Sequence, residues 1–194
     1  MEGSLGPAVI AVPIVVLLVL IAIWAIIVRN GLVSYRNKAR ESLSGIDVAL
    51  EARYDQITAQ KDVVKGAVAK EIELILGATA LRTGRSIPDL SVEEKSVLAG
   101  SMQQAEGLLL SVEAYPTMES QKSIRLLQRT INEVEERLQA SRRLYNSSAT
   151  TYNTKAQLFP QNIVATIFGF KTMDLFGLSN AAKSQPVQLE GFLD

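Results

Sequence analysis

Histidine and cysteine are both absent from the 194 residues, and these two absences exclude more chemistry than any motif supplies. Without histidine there is no Ser-His-Asp triad, no Cys-His pair and no imidazole metal ligand. Without cysteine there is no thiolate site, disulfide framework or haem attachment. An excess of one charge is also lacking. The 20 Lys+Arg stand against 20 Asp+Glu and the pI is near 6.4, whereas a nucleic-acid-binding domain usually shows clustered Lys/Arg and a strongly basic balance. There is no phosphate loop and no Ca²⁺ loop, and Glu2 excludes N-myristoylation. The expectation is a non-enzymatic protein with no cofactor, no metal and no nucleic-acid partner, in a structural, scaffolding or signalling role.

What the chain does have is a long apolar run. Ala8 to Val28 contains no charge and no hydrogen-bonding side chain except the indole of Trp24. As a helix this run is about 31 Å long, enough to cross a hydrocarbon core. A cleaved signal peptide would begin with basic residues and carry a shorter apolar stretch. Here the start is Met1-Glu2-Gly3-Ser4 and the run passes directly into Arg29, so an uncleaved transmembrane helix is expected. Glu2 is the sole charge before it, whereas Arg29, Arg36, Lys38 and Arg40 follow it closely. The positive-inside tendency then predicts a cytoplasmic C-terminal side. The same four residues are candidates for contact with anionic headgroups.

Beyond the span the pattern is helical. From Leu32 to about Gly77 no proline intervenes, and Leu43, Ile46, Leu50, Ile57, Val64, Val68, Ile72 and Ile75 recur at helical spacing. The segment Leu81 to Leu90 has loop composition, and Ser91-Val92-Glu93-Glu94 is a capping-box pattern that should start a second helix. Its stripe is Leu98, Met102, Ala105, Leu109 and Val112, and Tyr115-Pro116 should end it. A third helix from near Thr117 carries Ile124, Leu127, Ile131, Val134, Leu138, Ser141, Tyr145, Ser148 and Tyr152 in alternating threes and fours. Glu133, Glu135 and Glu136 read as a solvated face of that helix.

The tail changes texture at Phe159-Pro160. Ile163, Ile167, Phe168, Phe170 and Phe176 concentrate apolar surface in a stretch too short to span a bilayer. They are expected to close the end of a bundle, or to contact membrane or another subunit. Pro186 to Phe192 alternates like an extended peptide. The predicted fold is all-α: a transmembrane helix continuing into an elongated antiparallel three- to four-helix bundle, with a short extended C-terminal tail. The expected segments are a short extracytoplasmic N-terminus at 1–7, the span at 8–28, the long-helix bundle at 29–158 and the tail at 159–194.

Taken in order, several short motifs resemble the LemA family. They are Leu32-Val33 with Arg36-Asn37, Ile46-Asp47-Val48-Ala49-Leu50 followed by Arg53 and Asp55, Lys65-Gly66, and Glu113-Ala114-Tyr115-Pro116. Leu127-Gln128, Tyr145-Asn146, Tyr152-Asn153, Phe159-Pro160-Gln161-Asn162 and Phe168-Gly169-Phe170 complete the set. The resemblance implies a bacterial single-span membrane protein with a helical cytoplasmic domain and no well-defined biochemical activity. The family commonly has Trp where Leu43 stands and Pro-Asn where Thr58-Ala59 stand. The second difference removes a kink from the long first helix.

Three matched polar residues, Asp47, Arg53 and Asp55, fall on the first helix, and Arg53 lies on its apolar seam. A guanidinium facing a core must be paired. Asp47 is six residues away and so out of reach along one helix. Together with Tyr145 and Tyr152 these residues are candidates for a buried contact within the chain, with Glu113 or the two tyrosine hydroxyls as partners of Arg53, or for a contact across subunits. Two functional classes follow. One is a self-associating scaffold, partnered by the bilayer and by copies of itself. The other is a monomeric or dimeric membrane-tethered adaptor for an envelope-stress or signalling protein.

Overall fold

Fifty-seven residues, Leu5–Lys61, form one helix, α1, with Pro13 inside it. In this computed structural model residues 5–61, 64, 66–78, 84–110 and 121–177 are described. The further described helices are α2 (Ala67–Gly77), α3 (Val92–Leu109), α4 (Gln121–Gln157) and α5 (Gln161–Ile167), and Ile87–Asp89 form a 3₁₀ turn. No strand occurs among the described residues, and the all-α class expected from periodicity is the observed one. Val112, Tyr115-Pro116, Thr117 and the segment from Pro186 to Phe192 lie outside the described residues.

Among the described residues one helix is long and apolar enough to cross a membrane, and it is α1. Its two ends obey different rules. Through Ile27 it is apolar on every side, as a lipid-facing helix is. From Leu32 onward the buried positions Leu32, Ala39, Ile46 and Arg53 repeat every seven residues, with Ser42 and Ala49 between them. That is the periodicity of a helix packed along one seam.

The chain folds as two compact units. One contains the residues through Glu41 with Ser147–Met173, and the other contains Ser42–Asn146 with the residues from Asp174. In the first unit Leu32, Ala156 and Ala165 form a small core, with Val28 and Phe170 packed on it. Helix α5 ends in a Schellman motif: the Gly169 amide donates to the Thr166 carbonyl at 3.2 Å and the Phe170 amide to that of Ala165 at 2.9 Å. Gly169 takes φ 68°, a conformation at which a side chain would strain the backbone. The cap turns Phe170 back onto the Ala165 side of the helix. The Phe159-Pro160 peptide is cis.

In the second unit α1 contributes Ile46, Leu50 and Ile57, α3 contributes Leu98, Met102, Ala105 and Leu109, and α4 contributes Ile131, Leu138 and Tyr145, all buried. Helix α2 packs on α3 through a face containing Ile72 and Leu76. The capping box at the start of α3 is formed as expected: the Glu94 amide donates to Ser91 Oγ at 3.2 Å and the Ser91 amide to Glu94 Oε2 at 2.7 Å.

Two expectations about helix length are corrected. The helix drawn from Leu32 to about Gly77 is broken, with α1 ending at Lys61 and α2 starting at Ala67. Gly66 stands at φ 80° between them. A glycine can leave helical space at no steric cost, so the break needs no proline. Helix α3 ends at Leu109 with Leu110 as its cap, before Tyr115-Pro116 is reached.

Candidate functional site at the membrane boundary

Among residues 12–27 of α1 the large aliphatic side chains are 50–65% exposed, and Trp24 is 37% exposed. A contiguous apolar surface of this extent is far larger than soluble monomers leave in water, and no described residue covers it. The helix is therefore a membrane anchor.

At the end of the run the first charge, Arg29, lies over the ring of Phe168, 5.3 Å from its centroid. Seven residues on, Arg36 lies over Phe170 at 5.1 Å. Of the four basic residues expected to face headgroups, these two are stacked on aromatic faces, a contact that offsets part of the cost of desolvating a guanidinium. Arg36 is half-buried and its Nε has no hydrogen-bond partner. Lys38 and Arg40 are exposed. In the tail, Ile163 is 49% exposed, Ile167 72%, Phe168 50% and Phe159 79%, while Val164 and Ala165 face inward. Of the tail residues, Phe176 faces inward. It is buried at 2% exposure, with Arg142 5.9 Å above its ring, because its backbone is tied down at both polar atoms, as follows.

The extended stretch after α5 lacks a helix or sheet to satisfy its peptide groups, and side chains of α4 take that role. In the first unit Asn153 donates through Nδ2 to the Met173 carbonyl and accepts the Met173 amide, both at 2.8 Å. The Tyr152 hydroxyl donates to the Lys171 carbonyl at 2.7 Å. In the second unit Asn146 pairs in the same way with Phe176, at 3.0 Å to its carbonyl and 2.8 Å from its amide. Tyr145 donates to the Asp174 carbonyl at 2.6 Å. Each asparagine amide thus does for one residue what a neighbouring strand would do. Burial and the nearby Asp174 push the Tyr145 hydroxyl up to about 12. Tyr152 is also raised by burial, opposed by the positive charges of Arg36 and Arg40.

The polar residues of α1 in the second unit find partners that spacing did not identify. Arg53, 2% exposed, donates through Nε to Glu106 Oε1 at 2.9 Å and pairs through a terminal nitrogen with Glu106 Oε2. It also lies 2.8 Å from Glu135 Oε2. Its expected partners were the Tyr145 and Tyr152 hydroxyls or Glu113. Those hydroxyls are occupied by backbone carbonyls, and Glu113 lies outside the described residues. Glu135 is likewise drawn off the solvated face expected for it, because a guanidinium without water needs more than one acceptor. Asp47 pairs with buried Lys95 at 2.6 Å. Asp55 is exposed, which corrects its place among the buried candidates: two residues past Arg53 is a turn of about 200°, the opposite face of the helix.

Sequence reasoning thus missed the asparagines, Lys95 and Glu106. The signal was present for two of them. Lys95 precedes Leu98 by three residues and Glu106 follows Met102 by four, so both continue the α3 stripe as charges on a seam. Glu106, like Arg53, had to be paired. Among the described residues no group of His, Cys, Asp or Glu is placed to hold a metal ion.

The sequence model of one protein family, described as the LemA family, matches residues 42–190. Among characterised proteins the chain is 36% identical over 78 residues to magnetosome proteins MamQ 2 and MamQ 1 of Paramagnetospirillum magneticum. It is 33% identical over the same length to magnetosome protein MamQ of Magnetospirillum gryphiswaldense. These matches cover 40% of this chain and 29% of each relative.

Proposed function

The chain belongs to the LemA family, and from that premise we propose that it is a non-catalytic, membrane-anchored helical scaffold whose copies associate and organise or shape the bilayer. The observation that carries this reading is the continuity of α1, in which the apolar anchor and the Ile46, Leu50 and Arg53 seam of the packed domain are one helix. The helix that anchors a copy also contributes to its packed domain, so contacts between copies would act on the membrane. The lack of His and Cys and the ion-paired state of the buried Arg53, Lys95 and Glu106 support a structural over a catalytic use of these residues. The relatives' name refers to an assembled structure, the magnetosome, and not to a reaction, which favours the same side.

In this reading the partners are the lipid bilayer and further copies of the chain. The distribution of Arg29, Arg36, Lys38 and Arg40 after the span supports a bacterial cytoplasmic membrane with the C-terminal domain in the cytoplasm. The test is the mass and electron-microscopic appearance of the full-length protein in detergent, beside a chain lacking residues 1–28. Large closed or curved assemblies are expected of the full-length protein. A uniform monomer or dimer would overturn self-association and leave a membrane-tethered adaptor.

A further inference from the structure

We infer that α5 and the turn before it form a second membrane contact, a foot lying in the headgroup region of the same bilayer that α1 crosses, over anionic lipid. The inference rests on the anchoring part of the proposed function and on none of its self-association.

Depth comes first. Val28 is the last residue of the apolar run and Arg29 the first charge, so Arg29 marks the boundary to within about one residue rise of 1.5 Å. Phe168 lies against that guanidinium at 5.3 Å and must share its depth. Phe170 lies against Arg36, about 10 Å further along α1. From Phe168 to Phe170 the chain is therefore leaving the bilayer, and α5, which precedes Phe168, is at the membrane end of its unit.

Orientation comes next. Val164 and Ala165 are buried, and Ala165 belongs to the core around Leu32, which fixes which side of α5 faces the protein. The opposite side carries Phe159, Ile163 and Ile167 at intervals of four, with Phe168 beside them, all at least half exposed or nearly so. Exposed Asn162 and Thr166 flank that row. A short apolar row with polar flanks at headgroup depth is the arrangement of an interfacial segment, which sinks about 5–10 Å into the boundary.

Charge supplies the third argument and selects the lipid. No Asp or Glu occurs between Glu2 and Glu41, nor between Glu136 and Asp174. The described part of this unit therefore holds Arg29, Arg36, Lys38, Arg40, Lys155 and Lys171 against Glu41 alone. Six basic residues with one carboxylate among them complement anionic headgroups.

The experiment uses tryptophan as a depth probe, since Trp24 is the chain's one tryptophan. Full-length protein carrying Phe168→Trp with Trp24→Phe is reconstituted into vesicles of equal phosphatidylcholine and phosphatidylglycerol, whose acyl chains bear bromine near the glycerol end. The unaltered chain, with Trp24 as its reporter, is run beside it. We expect blue-shifted emission from position 168 and strong loss of that emission to the brominated lipid. Adding Ile163→Glu and Ile167→Glu, both at exposed positions, should shift the emission to the red and abolish the quenching without lowering the melting temperature. Water-like, unquenched emission at 168 while Trp24 is quenched would overturn the foot and keep the anchor. Blue-shifted emission that bromine does not touch would overturn it in favour of a protein cover, such as a second copy. If Trp24 itself escapes quenching, the anchoring reading fails and the foot falls with it.

Discussion

A chain whose charges cancel is divided into two units whose charges do not. Of its 20 basic and 20 acidic residues, the unit containing the anchor holds six basic ones and two acidic ones, Glu2 and Glu41. The other unit therefore has an acidic excess. Sequence balance alone shows no excess of either charge. The average conceals a basic portion next to the apolar run and an acidic portion elsewhere. The two units also treat buried polarity differently. Beside the anchor Tyr152 and Asn153 hold backbone groups, and Arg29 and Arg36 lie on aromatic rings. The second unit has the same neutral clamp, Tyr145 and Asn146 on backbone groups, but its helices also meet through ions: Arg53 with Glu106 and Glu135, and Lys95 with Asp47. Where helix faces helix, every peptide group is already satisfied and only side chains need partners. Where helix faces an extended segment, the segment's own N–H and C=O groups need them, and neutral amides and hydroxyls supply both donor and acceptor.

The largest effect should come from breaking the ionic side. Arg53→Met strands Glu106, which is 4% exposed, without a cation. A buried carboxylate left unpaired costs about 3–5 kcal/mol. Denaturant unfolding of the full-length protein in detergent should show that loss, and the double variant Arg53→Met with Glu106→Met should recover most of it. If the single variant melts like the parent, the ion cluster has no structural role. A loss of assembly without a loss of stability would instead move Arg53 to a contact between copies.

A smaller and more local effect is expected of the neutral clamps, one in each unit. Asn153→Ala removes both hydrogen bonds to Met173, and Asn146→Ala removes both to Phe176. Each variant should cost about 1–3 kcal/mol, the range for leaving buried peptide groups unpaired. Amide exchange locates the change: Met173 should lose protection in the first variant and Phe176 in the second, each without the other. Loss of both signals from either change would mean that the two clamps act as one cooperative unit.

How much of this was legible follows the same division. The anchor, the capping box at Ser91 and the seams of α3 and α4 are one-dimensional signals, carried by spacing along a single helix, and the sequence displays them directly. Arg53 could be singled out because a charge on a seam is an anomaly. Its partners could not be found, since Glu106 lies 53 residues away and Glu135 on yet another helix. The break at Gly66 was hidden because glycine ends a helix by conformation, leaving the apolar periodicity on both sides intact. The asparagines were passed over beside their tyrosines because what they bond to is backbone, and backbone has no letter in a sequence. The direction of Phe176 stayed open for a related reason. Its aromatic character is visible from composition, but whether it faces inward is decided by the Asn146 clamp.

The smallest effect should come from an ion pair of the opposite kind, held in water. Arg85 donates to both oxygens of Glu94 at 2.6 and 3.1 Å and to the Asp89 carbonyl at 2.7 Å, all at the surface. The Arg85 hydrogen bond and then the Ser91 amide hold the Glu94 carboxyl down at about 2, from an ordinary 4.5. A depressed acid contributes stability that is present above its unfolded value and fades as pH falls from 4.5 through about 2. Exposed pairs are screened by solvent and salt, so Arg85→Met should barely change melting at neutral pH. It should still move the Glu94 titration upward, read from its side-chain carboxyl carbon by nuclear magnetic resonance. The Ser91 amide remains as a donor in the variant, so the shift should stop short of the ordinary value. A full return to 4.5 would assign the whole depression to Arg85 and leave the capping box without electrostatic weight. A neutral-pH destabilisation as large as that of Arg53→Met would erase the distinction between wet and dry ion pairs on which the contrast between the two polar designs depends.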